Sequence, residues 1–128
     1  MELDQRLSIK DFEGRVIPGA TATIVKKIGT EPIWRVEWDS FNENPEAFNH
    51  LERWGIHRIR DVLLRIAADP DGREFLCDSL IEIRLKNVPI EQKRIDFDGG
   101  CLTVHASWHL GGEAGFPGES DLVLALGI

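Results

Sequence analysis

A pair of glycines, Gly99-Gly100, constrains the fold of this chain more than any other feature. The pair separates residues 94–98 from residues 101–108, and apolar and polar side chains alternate on both sides of it. Alternation with a period of two is typical of a half-buried β-strand, and two such runs around a Gly-Gly pair predict a tight β-hairpin. Because a two-residue loop fixes the register, Phe97 should face Leu102 across this hairpin.

A second hairpin is predicted nearer the N-terminus. Residues 21–28 are rich in β-branched side chains, which favour strands, and residues 29–32 contain the Gly and Pro that are typical of a turn. In residues 33–41 the side chains of Trp34 and Trp38 alternate with charged ones. We therefore expect an N-terminal β-hairpin, and a short edge strand within residues 1–19 stays open.

Three helices are predicted between the two hairpins. Asn44-Pro45 is typical of a helix start, and Gly55 is typical of a helix end. Residues 56–67 repeat apolar side chains at intervals of three and four, which predicts an amphipathic helix. Asp69-Pro70 predicts the start of a third helix by the same capping logic.

The remaining apolar patterns predict further strands. Residues 81–86 alternate, and residues 122–126 form an unbroken apolar run that suits a strand buried on both faces or paired with another chain. Strands grouped before and after helices favour an α+β fold. We expect a single α+β domain over residues 1–128, with an N-terminal β-hairpin, two or three helices, and then an antiparallel meander of three or four strands, the helices packing on one face of one sheet. The predicted core takes apolar residues from these elements: Ile24, Trp34, Val36, Trp38, Ile59, Val62, Leu63, Ile66, Ile83, Leu85, Phe97, Leu102 and Val104.

The distribution of charge narrows the classes of partner. The formal net charge is −7, from 22 acidic and 15 basic residues. Residues 95–128 contain five Asp or Glu residues and no Lys or Arg. Such a field repels a phosphate backbone, so nucleic-acid binding is disfavoured and another protein is the expected partner.

Cellular context is predicted from what the sequence lacks. The N-terminus has neither the basic start nor the apolar stretch of a secretory signal, and no apolar run approaches the roughly 20 residues that span a bilayer. These features predict a cytoplasmic protein without a membrane segment. The two cysteines, Cys77 and Cys101, are then expected to be free thiols, although a single bridge stays open.

A polar stripe follows the last strand of the predicted hairpin. Alternate residues of a strand point to the same side, so one face carries Cys101, Thr103, His105, Ser107 and His109. Along a strand that rises about 3.3 Å per residue, Cys101 and His105 lie roughly 13 Å apart, too far to share a metal ion or a hydrogen bond. A polar outer sheet face is the simpler interpretation, and neither a metal site nor a cofactor is predicted.

A positive patch lies on the predicted second helix of this acidic protein. It consists of Arg58, Arg60 and Arg65. Arginine binds a carboxylate with two parallel hydrogen bonds, so the patch suits an acidic partner. The simpler interpretation is a solvated helix face that pairs with acids of the same chain.

A Gly-rich acidic segment supplies the other candidate contacts. It carries Glu113, Glu119 and Asp121, together with Phe116. An apolar side chain in such a segment serves either as a binding tip or as a plug that docks on the domain itself.

Two functions stay open on the sequence alone. The favoured one is a non-enzymatic protein-interaction or accessory module, because the charges are polarised and no complete catalytic set can be assembled. Such a module would bind another protein through the charged regions or form a homo-oligomer through the C-terminal strand. The alternative is a small enzyme or small-ligand binder that uses the face of Cys101, His105 and His109.

Overall fold

A computed structural model of the protein describes residues 3–42 and 44–127. Its helices are α1 (Leu3–Asp11), α2 (Ile17–Ile28), α3 (Pro45–His50), α4 (Arg58–Ile66), α5 (Pro70–Ser79), α6 (Gly112–Gly115) and α7 (Glu119–Ala125). Its strands are β1 (Ile33–Val36), β2 (Glu82–Asn87), β3 (Arg94–Asp98) and β4 (Cys101–Ala106). π-Helical turns over Phe12–Val16 and Leu51–His57 join α1 to α2 and α3 to α4. The α+β class is confirmed.

The predicted N-terminal hairpin is wrong, because its first strand is helix α2. Ala20, Ile24 and Ile28 are buried at intervals of four residues, so this segment presents one apolar stripe to the core, as a surface helix does. Gly29 ends the helix in the left-handed conformation, with a φ of 93°. The β-branched residues 21–28 therefore follow the burial pattern of the stripe and not their preference for strands.

The sheet is mixed, so the predicted antiparallel meander is also wrong. Its strand order is β1-β2-β4-β3, and β2 pairs in parallel with both β1 and β4. Parallel neighbours need long crossover connections, which here contain the helices between β1 and β2. Helices α1 and α2 precede every strand of the sheet, which overturns the predicted order of elements.

The hairpin of β3 and β4 has the predicted register. Phe97 is opposite Leu102 and Ile95 is opposite Val104. Gly99 and Gly100 both have positive φ, 59° and 82°, which is what the tight turn requires and what a side chain would oppose. The apolar members of these pairs lie on the side of the sheet that is buried.

The helical middle of the chain matches the prediction except at Gly55. The helical path runs through Gly55 instead of ending there, and a Cβ atom at this position would lie 3.0 Å from the Trp108 ring. This glycine therefore permits close packing and does not cap a helix. The predicted start of α5 is confirmed, since the Asp69 carboxylate accepts a hydrogen bond from the Gly72 amide at 3.2 Å.

The apolar run near the C-terminus is helix α7 and not a strand. Leu122 and Leu126 are buried one turn apart, whereas Leu124 between them is 75% exposed. A homo-oligomer through a C-terminal strand therefore has no strand to use, because this segment cannot extend a sheet.

The core lies between the helices and one face of the sheet. The predicted members that the structure buries are Ile24, Ile59, Val62, Leu63, Ile66, Ile83, Leu85, Leu102 and Val104. Four further predicted members, Trp34, Val36, Trp38 and Phe97, are only partly buried and pack at its margin. Residues of β1 and β3 are less enclosed because these strands form the two edges of the sheet.

Candidate binding surface

Helix α4 carries the positive patch on the side away from the core. Burial of Ile59, Val62, Leu63 and Ile66 fixes the rotation of the helix. The same rotation leaves Arg65 exposed and keeps Arg58 and Arg60 partly exposed. A shallow groove of about 270 Å³ on this side is lined by Arg53, Trp54, His57, Arg58, Arg60, Asp61 and Glu119.

Trp54 is the centre of this surface. The guanidinium carbons of Arg53 and Arg58 lie 4.6 Å and 4.8 Å from the centre of its indole ring, which is cation–π geometry. The indole also stacks on Phe116, with ring centres 5.4 Å apart and planes 16° from parallel. The indole ring contacts the two guanidiniums and also stacks on Phe116. These contacts hold Arg53 and Arg58 at fixed positions on a mostly apolar base.

Phe116 is a plug and not a binding tip. Its side chain is 8% exposed and contacts the rings of His50 and Trp108 as well as that of Trp54. The segment around it is held by its carbonyls: Lys93 Nζ donates to Phe116 O at 2.7 Å, and Arg58 donates to Pro117 O at 3.1 Å. The loop thereby forms the floor beneath the arginines.

Acids of the same chain pair with some of these arginines. Arg65 forms an ion pair with Glu119 at 2.7 Å, and Arg60 forms one with Asp61 at 2.9 Å. The hydrogen bond between Arg65 and Glu119 raises the pKa of the arginine and lowers the pKa of the carboxyl. Within residues 3–42 and 44–127, Arg53 and Arg58 form no ion pair with a carboxylate.

The structure brings together only part of the predicted binding set. Arg58, Arg60 and Glu119 line the groove around Trp54, and Phe116 stacks on its ring. Arg65 joins this set only through its ion pair with Glu119. Two other predicted residues lie elsewhere: Glu113 is exposed on α6, and Asp121 lines a separate groove with Lys93 and Arg94.

Trp54 is not among the site residues predicted from the sequence. The available signal was local, because Arg53 is its neighbour and Arg58 follows it four residues later along a helical path.

The second predicted surface, the polar stripe, is the open face of the sheet. Cys101, Thr103 and His105 lie on β4 beside the charged residues of β2, in register with Glu82, Arg84 and Lys86. Glu82 forms ion pairs with Arg84 and Arg35. Burial alone would raise the pKa of Glu82, but hydrogen bonds from Arg84, Arg35 and Cys101 together hold it below its usual value. The face therefore carries ion pairs both within and between its strands.

Ser107 and His109 do not extend this face, because β4 ends at Ala106. The Ser107 side chain is fully buried and donates to Val88 O at 2.6 Å. A ring nitrogen of His109 lies 3.0 Å from the amide oxygen of Asn87. The two side chains hold the segment after β4 against the last residue of β2 and the residue that follows it.

The chemistry of the open face does not favour catalysis by a thiol. Burial raises the pKa of Cys101, so the thiol keeps its proton and is a poor nucleophile. Burial, followed in importance by the charge of Lys86, lowers the pKa of His105. Cys101 and His105 are four residues apart on one strand, which places them roughly 13 Å from each other and prevents a thiol–imidazole hydrogen bond.

The described residues offer neither a metal-binding cluster nor a membrane-spanning helix. In the part of the chain that the structure covers, no three His, Cys, Asp or Glu side chains are grouped so as to hold a metal ion. No helix there is both long enough and apolar enough to cross a bilayer. Both cysteines are free, with Cys77 exposed and Cys101 partly buried.

Comparison with known proteins adds no assignment to this geometry. No family model, curated protein or solved structure matches the chain.

Proposed function

We propose that this chain is a non-enzymatic accessory module that binds an acidic segment of another protein through the Trp54 surface. We define the Trp54 surface as Arg53, Trp54, His57, Arg58 and Arg60. The observation that carries the proposal is the pair of guanidiniums over the indole ring, neither of which forms an ion pair within the described residues.

Chemical reasons favour a carboxylate-bearing partner. A guanidinium presents a planar fork of donors that matches two carboxylate oxygens, and stacking on an aromatic ring fixes that fork without consuming its donors. Arg58 donates one hydrogen bond to Pro117 O, and this bond orients the guanidinium further. The net charge of −7 disfavours a nucleic acid, which offers anionic groups only as part of a long phosphate backbone.

The proposal is tested with a charge-removing double variant, Arg53→Gln with Arg58→Gln. The full chain is immobilised, proteins that it captures from the source cell are identified by mass spectrometry, and each is then produced separately for affinity measurement. A true partner should bind the double variant at least about tenfold more weakly, since two charge-assisted contacts are lost. Raising the salt concentration should also slow its association, because exposed charges are screened over about 8 Å at physiological ionic strength.

A matched control removes two charges elsewhere. Lys10→Gln with Lys27→Gln changes two exposed lysines of α1 and α2 by the same net charge. Partners that bind both double variants equally, with no dependence on salt, would contradict the proposal and reduce the arginine patch to a solubility feature.

A further inference from the structure

Among the residues that the structure describes, no strand pairs with the outer edge of β1. Ile33 and Glu37 donate their amides to the Ile81 and Leu85 carbonyls of the β2 side, both at 2.9 Å. Main-chain groups of successive strand residues point to alternate sides, so Trp34 and Val36 direct their N–H and C=O groups away from β2. Four backbone hydrogen-bonding groups are thereby presented at the edge, where a further strand would pair.

An apolar groove runs beside this edge. Its volume is about 830 Å³, and α2 supplies one wall through Pro18, Ala22 and Val25 while β1 supplies Trp34. The exposed fraction is 43% for Val25 and 52% for Ile33, which lies at the end of the groove. Exposed apolar side chains concentrated beside a free strand edge are typical of a surface that another chain covers.

A second cavity continues past Trp34 along the same edge. Its volume is about 370 Å³, and its lining combines apolar side chains with charged ones of both signs. The charged members include Glu13, Glu37, Arg35 and Arg84. The Glu37 carboxylate already lies 3.6 Å from Lys86. The groove is thus apolar at one end and of mixed charge at the other.

Trp34 carries the most direct sign of a missing partner. Its side chain lines both cavities, and its indole Nε1 is buried without an acceptor among the residues that the structure describes. Buried hydrogen-bond donors are rarely left without an acceptor. Because this indole N–H lies in the wall of the groove, a small movement of the Trp34 side chain would let it donate to an acceptor on a bound segment.

We propose that an extended segment of another protein binds as a fifth strand on β1. Its backbone pairs with Trp34 and Val36, and alternate apolar side chains enter the groove beside β1. This β1 groove shares no residue with the Trp54 surface, so the two proposals stand or fall separately.

A second copy of this chain is the weaker occupant on electrostatic grounds. Antiparallel pairing of two β1 strands uses all four free groups only when Arg35 lies opposite Arg35 of the other copy. Like charges directly opposite each other destabilise a strand pair. A shift in one direction brings Pro32, which has no N–H, against Val36, and a shift in the other brings in Trp38, where the strand has already ended.

The test uses a phage-displayed library of random heptapeptides, selected on the full chain. We expect enriched peptides in which apolar residues alternate with other residues. Ala22→Glu places a charge in the groove wall and should weaken their binding at least about tenfold. Thr23→Glu is the matched control, because it adds the same side chain and the same charge at a neighbouring position of α2 that does not line the groove.

Chemical modification of the selected peptide separates strand pairing from simple apolar contact. Two versions of the peptide are made, one N-methylated at the odd-numbered amides and the other at the even-numbered amides. The version whose methylated amides face β1 should no longer bind, whereas the other version should bind nearly as the unmodified peptide does. The proposal is overturned if no peptide is enriched, if Ala22→Glu binds as wild type does, or if both methylated peptides still bind. Sedimentation experiments could also overturn the proposal. If the protein dimerises as its concentration rises and Ala22→Glu removes this dimerisation, the occupant of the groove is a second copy of the chain.

Discussion

Adding one methyl group at Gly55 should destabilise the protein, although alanine is the better helix former. Gly55 is buried in the π-helical turn between α3 and α4. A Cβ atom there would lie 3.0 Å from Leu51 Cδ1 and 3.0 Å from the Trp108 ring. Both neighbours are fully buried, so neither has free space into which to move.

The expected size of the effect is the difference between two opposing contributions. Replacing glycine by alanine within a helix favours the folded state by about 0.5–1 kcal/mol. Overpacking a well-filled core by one group costs about 1–3 kcal/mol. Gly55→Ala should therefore lower the free energy of unfolding, by up to about 2.5 kcal/mol.

Gly19→Ala provides the matched control for this substitution. Gly19 lies in the first turn of α2, it is exposed, and a Cβ atom there meets no atom within 4 Å. This variant should gain the helical contribution without the steric cost. The two variants should differ by about 1–3 kcal/mol, which isolates the close approach of Trp108.

Urea unfolding followed by circular dichroism measures both variants under the same conditions. A change in the midpoint at constant slope reports a change in stability. Equal free energies of unfolding for the two variants, or a more stable Gly55→Ala, would refute the packing argument. Gly55 would then be a glycine of no structural necessity.

The remaining predictions concern a core side chain, a helix cap and a titrating group. Leu63→Ala should lower the free energy of unfolding by about 2–5 kcal/mol in urea titrations, because Leu63 is fully buried, and a loss under about 0.5 kcal/mol would contradict the placement of the α4 stripe. Asp69→Ala should cost about 1 kcal/mol by removing the cap on Gly72, and thermal unfolding at neutral pH would reveal an unchanged midpoint if the cap were irrelevant. Burial lowers the pKa of His105, so the unfolded chain binds a proton first as the pH falls below about 6.5, and stability conferred by the neutral imidazole is lost from there downward. Relative to His105→Asn, wild-type stability should therefore decline between about pH 7 and about pH 5, and a constant difference across this range would exclude the effect.

Local sequence patterns predicted the elements whose geometry is set locally. The hairpin of β3 and β4 is one such element, because a two-residue glycine turn allows a single register. Helix α4 is another, since its apolar residues recur with helical spacing and little else competes with that signal. The cap at Asp69 likewise depends only on residues within one turn.

Two segments were misassigned because composition outweighed periodicity. In α2 the β-branched residues favoured a strand, yet Pro18 in the first turn and Gly29 after the last are both typical helix boundaries. In α7 an unbroken apolar run concealed the helical spacing of Leu122 and Leu126. Burial in the folded protein decided both cases, as tertiary packing often does for short segments.

The strand order and the Trp54 surface could not be predicted, because both join residues far apart in the sequence. Parallel pairing of β1 with β2 leaves no local mark, whereas a hairpin turn does. Similarly, the stacking of Phe116 on Trp54 unites segments about 60 residues apart, which no spacing rule covers. The arginines were visible in the sequence, but their common base was not.

The central position of β2 determines when the protein can fold during its synthesis. Both neighbours of β2 are parallel to it, so neither can form with it the quick hairpin that folds as a chain emerges from the ribosome. Until Cys101–Ala106 has been translated, the nascent chain lacks Leu102 and Val104, and its helices expose apolar surface that these residues later cover. Nascent chains that end before β4 should therefore depend on chaperones to avoid aggregation.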